Sequence, residues 1–155
     1  MAEVQTTYDN TLAVGFAGMV ANGETSNRIS RTCEDAAGIP FGVPVFRGTG
    51  DHGATDTVGT AATLLGITIA NSTLGLLAGE TADLYQQYDN MNIMTGGAIF
   101  VAVVGAVTDG AALTIGTGAG AADGIGVTAA DATHIALGWI ADQTVTDGIC
   151  RIAKR

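Results

Sequence analysis

Short apolar runs separated by glycine-rich polar stretches fill this chain, and no apolar pattern with a helical period lasts more than a few turns. The runs are rich in Val, Ile and Thr, which predicts strands. "LAVGFAGMV" (12–20) precedes Asn22-Gly23, a pair that tolerates positive φ. That predicts a two-residue hairpin with "TSNRIS" (25–30) as the returning strand. "RTCEDAAGIP" reads as a loop or short helical turn closed by Gly38 and Pro40. Pro40 and Pro44 bracket "FGV", so that piece is expected to be an edge strand or an extended crossing, since proline cannot donate to a ladder. "LLGITIA" (64–70) and "TLGLL" (73–77) are further strand candidates.

"GETADLYQQYDNMNIMTGG" (79–97) is more polar, and the spacing of Tyr85 and Tyr88 permits one helical turn. "AIFVAVVGAV" (98–107) is the most strand-like run and is expected to be buried on both faces. An echo follows: "AVTDGAALTI" (106–115) and "TVTDGICRIA" (144–153) each place V-T-D-G between apolar residues. Asp-Gly in that setting predicts a hairpin turn at Gly110 and at Gly148, because glycine takes the left-handed conformation without a Cβ clash. "GTGAGAADGIGVTAADAT" between them reads as a Gly/Ala loop, and "HIALGWIA" and "GICRIAKR" as two strands closing a sheet. The whole predicts an all-β protein, a β-sandwich or jelly roll or a barrel-like fold, with Gly-rich hairpins and loops and little helix. Strand topology is not written in this pattern.

Composition narrows the picture. Leu, Ile, Val and Phe together number 37 of 155 residues, enough for a core, while aromatics are only 5% and glycines number 23. Such a thin core is expected in a chain that draws stability from contacts with other chains. The polar stretch 1–11 has no core of its own and is expected to form an extended N-terminal arm. Residues 12–155 are expected to form one β-rich domain, with two small β subdomains as the alternative. Net charge is −9, and between Arg47 and Arg151 there is no Lys or Arg but ten carboxylates. A surface of that sign repels phosphate, which argues against nucleic acid and anionic membranes as partners. The N-terminus lacks a basic segment followed by an apolar one, and the run at 98–107 is too short to span a bilayer. Synthesis in a cytoplasm is the expectation, with Cys33 and Cys150 reduced and a disulfide as the alternative.

Candidate chemistry is sparse. "RGTGDHG" (47–53) spells G-x-G-x-x-G after a predicted strand, the fingerprint of a dinucleotide-binding turn. That turn needs a long helix after it and an acidic residue about 20 positions on. Here "ATDTVGTAATLLGITIA" is a poor helix, and residues 67–77 hold no carboxylate, so a mobile glycine-rich loop is the preferred reading. His52 and His134 lack metal-ligand spacing and are expected as loop and strand-end residues. Asp109, Asp123, Asp131 and Asp147 sit in Gly-rich turns without a calcium-loop pattern. Nothing flanking Cys33 would depress its pKa, and no G-x-S-x-G occurs. No catalytic, cofactor or metal site is expected.

"GFAGMVANGETSNRISRTCEDAAGIPFGVPVFRGTGD" (15–51) resembles the opening of tailed-phage capsid cement, or decoration, proteins. "YQQYDNMNIMTGGAIFVAVV" (85–104) and the closing "ALGWIA…DGICRIAKR" are similar to later blocks of that family. The resemblance implies a non-enzymatic, β-rich virion protein on the outer surface of an assembled HK97-type capsid, where it cements neighbouring major capsid subunits. It implies no cofactor, and a homo-oligomer for which a trimer is favoured over a dimer. Tyr8, Arg28, Arg31 and Arg47 are then the candidate residues for contacts with the capsid or between subunits. A particle-displayed, glycan-binding β-sandwich is the alternative, and it would require exposed aromatics around Trp139 and the tyrosines.

Overall fold

The most apolar run of the chain forms part of its longest strand. A computed structural model describes residues 15–21, 23–71, 83–117, 124–127 and 129–155. Its strands are β1 (Asn27–Cys33), β2 (Ile39–Pro40), β3 (Pro44–Arg47), β4 (Gly53–Thr55), β5 (Leu64–Thr68) and β6 (Leu84–Tyr85). They continue with β7 (Asn90–Val107), β8 (Ala112–Gly116), β9 (Ile125–Gly126), β10 (His134–Ala141) and β11 (Val145–Lys154). No helix occurs among the described residues, and the fold is all-β as expected.

Strand β7 belongs to two structures at once. Its first half closes a circuit: β1 pairs β4 in parallel, and β4–β3, β3–β5, β5–β7 and β7–β1 are antiparallel. This closed five-stranded ring removes sheet edges as a barrel does. The second half continues into β11, β10, β8 and β9, all antiparallel. That second sheet curls back, since a Cβ on Gly126 of β9 would lie 3.3 Å from the Val104 carbonyl oxygen on β7. Two apolar clusters follow from this layout. One, with Cys33, Ile39, Val45, Tyr85, Met91 and Ile93, fills the ring. The other runs from Phe46 and Ile67 through Ile99 and Val101 to Leu113, Leu137, Trp139 and Ile152.

Several local expectations give way to non-local pairing. Of the predicted hairpin, 12–14 and Asn22 lie outside the described residues, and 15–20 do not pair with 25–30. Instead β1 lies along β7, and Val20 makes a separate bridge to Ile99. The long apolar strand offers more ladder than a short polar hairpin does. Arg31–Cys33 of "RTCEDAAGIP" end β1, and the rest is a turn leading to β2. "FGV" is a tight turn rather than an edge strand: Gly42 has φ +73° and donates its N–H to Thr68 O at 3.0 Å. Pro44 opens β3, which is flanked by β4 and β5, and a first position spares the ring a missing donor. Tyr85 lies in β6, and Tyr88 has φ +73° in a turn, so no helical turn joins them. "TLGLL" lies outside the described residues.

Burial on both faces holds for Ala98–Val101 of β7 but stops there. Ala102, Val104 and Ala106 are exposed while Val103 and Val107 are buried. The V-T-D-G echo also resolves differently. At Thr108–Ala111 the chain does turn, with Ala111 N donating to Thr108 O at 3.0 Å and Gly110 at φ +82°. Yet β8 then pairs with β10 and β9, not with β7. At 146–148 there is no turn at all. Asp147 (φ +47°) and Gly148 (φ +129°) form a bulge inside β11, where the register against β7 shifts. Asp147 Oδ1 there accepts the Gly105 N–H at 2.6 Å. The Gly/Ala stretch hides a short strand, β9, that alternation could not signal from two residues.

Candidate interaction surface

The loop between β3 and β4 explains its glycines. Glu34, just beyond β1, reaches into "RGTGDHG" and accepts hydrogen bonds from Thr49 N (2.8 Å), Gly50 N (2.7 Å) and Thr49 Oγ1 (3.1 Å). A Cβ at Gly48 or Gly53 would come within 2.3 or 1.6 Å of that carboxylate. Those two positions must stay bare for the side chain to enter. The backbone donors hold the Glu34 carboxyl below the usual glutamate range, the bond from Thr49 N contributing most. Cradling an anion with backbone N–H groups is what the fingerprint is known for. Here the anion is the chain's own Glu34, and the loop is tied down rather than mobile. Asp35 repeats the device next door, accepting from Thr55 Oγ1 and Asp56 N at 2.8 Å each.

A groove of about 600 Å³ runs between ring and second sheet, lined by Phe41, Val43, Asp56, Val58, Ile115 and Ile125 among others. Burial, and after it the neighbouring Asp35 charge, pushes the Asp56 carboxyl up. His52 is exposed in its loop, and only its backbone oxygen is engaged, by Thr32 N at 2.9 Å. His134 opens β10, with Nδ1 3.4 Å from Asp131 Oδ1. Donation from Thr133 N above all lowers Asp131 to about 2. Cys33 and Cys150 are free and buried, one in each apolar cluster. Burial raises both thiols, the reverse of what activates a nucleophile. Among the described residues no group of three or more His, Cys, Asp or Glu is placed to hold a metal ion.

The candidate contact cations lie on two strands and are not joined to one another. Arg28 and Arg31 are on β1, opposite Met94 and Met91 of β7, whereas Arg47 is exposed at the end of β3. Arg28 Nε donates to Ser26 Oγ at 3.0 Å and Arg31 to Ser30 O at 2.8 Å. Tyr8 lies outside the described residues, as does the proposed arm. Sequence reasoning missed the C-terminal cations. On β11, Arg151 faces Phe100 and Lys154 faces Gly97 of the same β7. Arg151 Nε meets Asp142 Oδ2 at 2.9 Å, and Arg155 meets Glu24 Oε1 at 3.2 Å. The clue was present in the sequence as the run "RIAKR", but its neighbours are fixed only by strand register.

Two of the aromatics that a glycan platform would use, Trp139 and Tyr85, are not on the surface. Trp139 is 1% exposed, and Tyr85 is buried with its hydroxyl donating to Ile69 O at 2.6 Å. Neither ring face can stack on a sugar. The exposed large apolar residues are scattered: Phe16 (57%), Tyr88 (77%) and Val104 (54%) among them.

Residues 4–154 match the family model described as structural cement protein (E217 gp24/Pam3 gp6). A solved chain from "The capsid of Myoviridae Phage XM1" superposes with a TM-score of 0.67 over 99% of this chain and 97% of that one. Identity is 14%, so that likeness speaks to the fold. No curated protein matches.

Proposed function

The chain belongs to the structural cement protein family, and from that premise we propose that it binds the outer surface of an assembled HK97-type capsid and cements neighbouring major capsid subunits. The observation that carries the reading is the family match over residues 4–154. Physical features support it. A closed ring and a curled sheet leave little open strand edge, so the molecule meets partners through side chains rather than by adding strands. Weak contacts suffice, because identical sites repeat over a shell and their effects multiply. Net charge of −9 favours a place away from packaged DNA. The family is one of structural proteins, and burial raises both thiols, the reverse of what activates a nucleophile.

In this proposal Arg28, Arg31 and Arg47, with Tyr8 of the arm 1–11, contact capsid subunits or a neighbouring copy, and the protein assembles as a trimer in preference to a dimer. Residues 12–155 act as one β-rich body. Electron cryomicroscopy of purified particles tests the reading directly. Density for this chain outside the shell, over seams between capsid subunits, is expected. Density only inside the shell or in the tail, or none, overturns it. Particles stripped of the protein should burst at lower temperature and under milder osmotic shock than complete ones.

A further inference from the structure

One carboxylate stands in an otherwise apolar groove. The groove of about 600 Å³ takes Phe41, Val43 and Val58 from the ring and its turns. The second sheet contributes Ile115 and Ile125, register partners on β8 and β9. Asp56 is the one charged side chain among the described residues of the lining. The apolar wall is fixed from behind. Buried Thr68 accepts the Val43 N–H at 3.1 Å and donates to Pro40 O at 2.8 Å, and Phe41 meets Tyr85 edge-on with ring centres 5.2 Å apart. Asp56 is held as well: its N–H donates to Asp35 Oδ2 at 2.8 Å, while Thr55 Oγ1 donates to Asp35 Oδ1 at 2.8 Å. Two acidic side chains are thus neighbours, and neither takes part in an ion pair among the described residues. Burial first, and the Asp35 charge second, disfavour the ionised form of Asp56. A trough with apolar walls and one uncompensated acid fits a group of the opposite make-up, an aliphatic stem that ends in a cation.

Resting on the cement reading, we propose that this groove is a docking site for a segment of the capsid protein that inserts a lysine or arginine side chain, its methylenes against the apolar walls and its charged head on Asp56. Charge complementarity selects that occupant. A cation brought to Asp56 offsets the repulsion from Asp35 and makes a charge-assisted hydrogen bond in a site partly screened from water. The volume is within the roughly 300–1,000 Å³ of pockets that enclose a ligand-sized group. A second copy of this chain is poorly equipped to supply the cation. Arg151 and Arg155 are already paired with Asp142 and Glu24. Arg28, Arg31 and Lys154 lie on strands laddered to β7, and Arg47 on a strand laddered to β4. None of them heads an extended segment able to enter a groove. The net charge of −9 likewise turns the molecule towards basic partners.

The experiment adds purified protein to particles that lack it and measures co-sedimentation for wild type and three variants, each of which changes net charge by the same amount. Asp56→Asn should weaken binding about tenfold. It should also melt at or above the wild-type temperature at neutral pH, because the ionised acid is disfavoured in the folded state, so its weaker binding does not come from misfolding. Ala102→Lys, at an exposed position in the lining, places a tethered cation in the groove and should reduce binding at least as much. Asp51→Asn, exposed in the β3–β4 loop and outside the lining, should bind as wild type does. Wild-type binding that both groove variants retain overturns the groove and leaves the cement reading intact. Binding lost in Ala102→Lys but kept in Asp56→Asn overturns the basic side chain as occupant. A change in the oligomeric mass of isolated Asp56→Asn makes a second copy the occupant and overturns the choice of the capsid protein. No binding by wild type sinks the cement reading and the groove with it.

Discussion

The two halves of β7 share one backbone and similar residues, yet they live differently. From Met91 to Val101 the strand carries most of its buried side chains: Met91, Ile93, Met94, Ile99 and Val101 are fully buried, with β1 and β5 paired to its start and β11 to the rest. From Ala102 to Val107 alternate residues face out, and Val104 is 54% exposed. Val101 and Val104 are chemically the same residue. What separates them is whether a sheet closes around the position, which is a property of strand register rather than of side-chain type. Gly97, where β11 takes over from β1 as ladder partner, has φ +127°, and a Cβ there would lie 2.8 Å from Ser26 Cβ.

That contrast can be broken at its largest expression. Trp139→Ala empties the second cluster and should cost about 3–5 kcal/mol, and Ile93→Ala, in the ring, about 2–5 kcal/mol. Because both clusters share β7, fluorescence of Trp139 in the Ile93 variant and far-ultraviolet circular dichroism should report one coincident unfolding transition. Two separated transitions would show that the halves melt independently. Next in size is Gly66→Ala. A Cβ there would stand 2.1 Å from the Met94 carbonyl oxygen, so β5 must shift off β7, at about 1–3 kcal/mol by denaturant titration.

Backbone strain without crowding comes third. Gly110→Val and Gly148→Val meet nothing within 4 Å, so only the left-handed conformation opposes them. Each should lower stability by about 1–2 kcal/mol, and unchanged melting would mean that neither site needs glycine. Val104→Ser, on the open half, should change stability by less than about 0.5 kcal/mol, which a ring position would not tolerate.

Glu34→Gln sharpens the comparison by pH. The folded carboxyl sits below its ordinary value of 4.5, so its stabilisation is complete above that pH and fades as pH falls through the folded value. Wild type should therefore exceed the Gln variant in melting temperature at neutral pH. The gap should narrow as the solution is acidified below 4.5. A gap independent of pH would mean that the bonds from Thr49 and Gly50 do not depend on charge.

Strand identity was largely legible from residue type. "LLGITIA", "AIFVAVVGAV", "HIALGWIA" and "GICRIAKR" all carry strands, because β-branched runs bounded by glycine have few other stable uses. Asp-Gly misled twice. Its tolerance of positive φ fits a turn that does not close a hairpin at Gly110 and a bulge at Gly148 as well as it fits a hairpin. The fingerprint "RGTGDHG" misled in a subtler way, since its glycines do serve an anion, but one supplied by Glu34 of the same chain.

Alternation and composition by themselves determined an all-β chain, short of cations and rich in glycine. Partner strands were settled only in three dimensions. Backbone hydrogen bonds are the same for every residue, so nothing in the letters says that Asn27 and Lys154 meet the adjoining glycines 96 and 97. Ladder pairing is chosen by the total area each arrangement buries, a sum over the whole molecule. That sum set the cradle around Glu34, and no local stretch contains it.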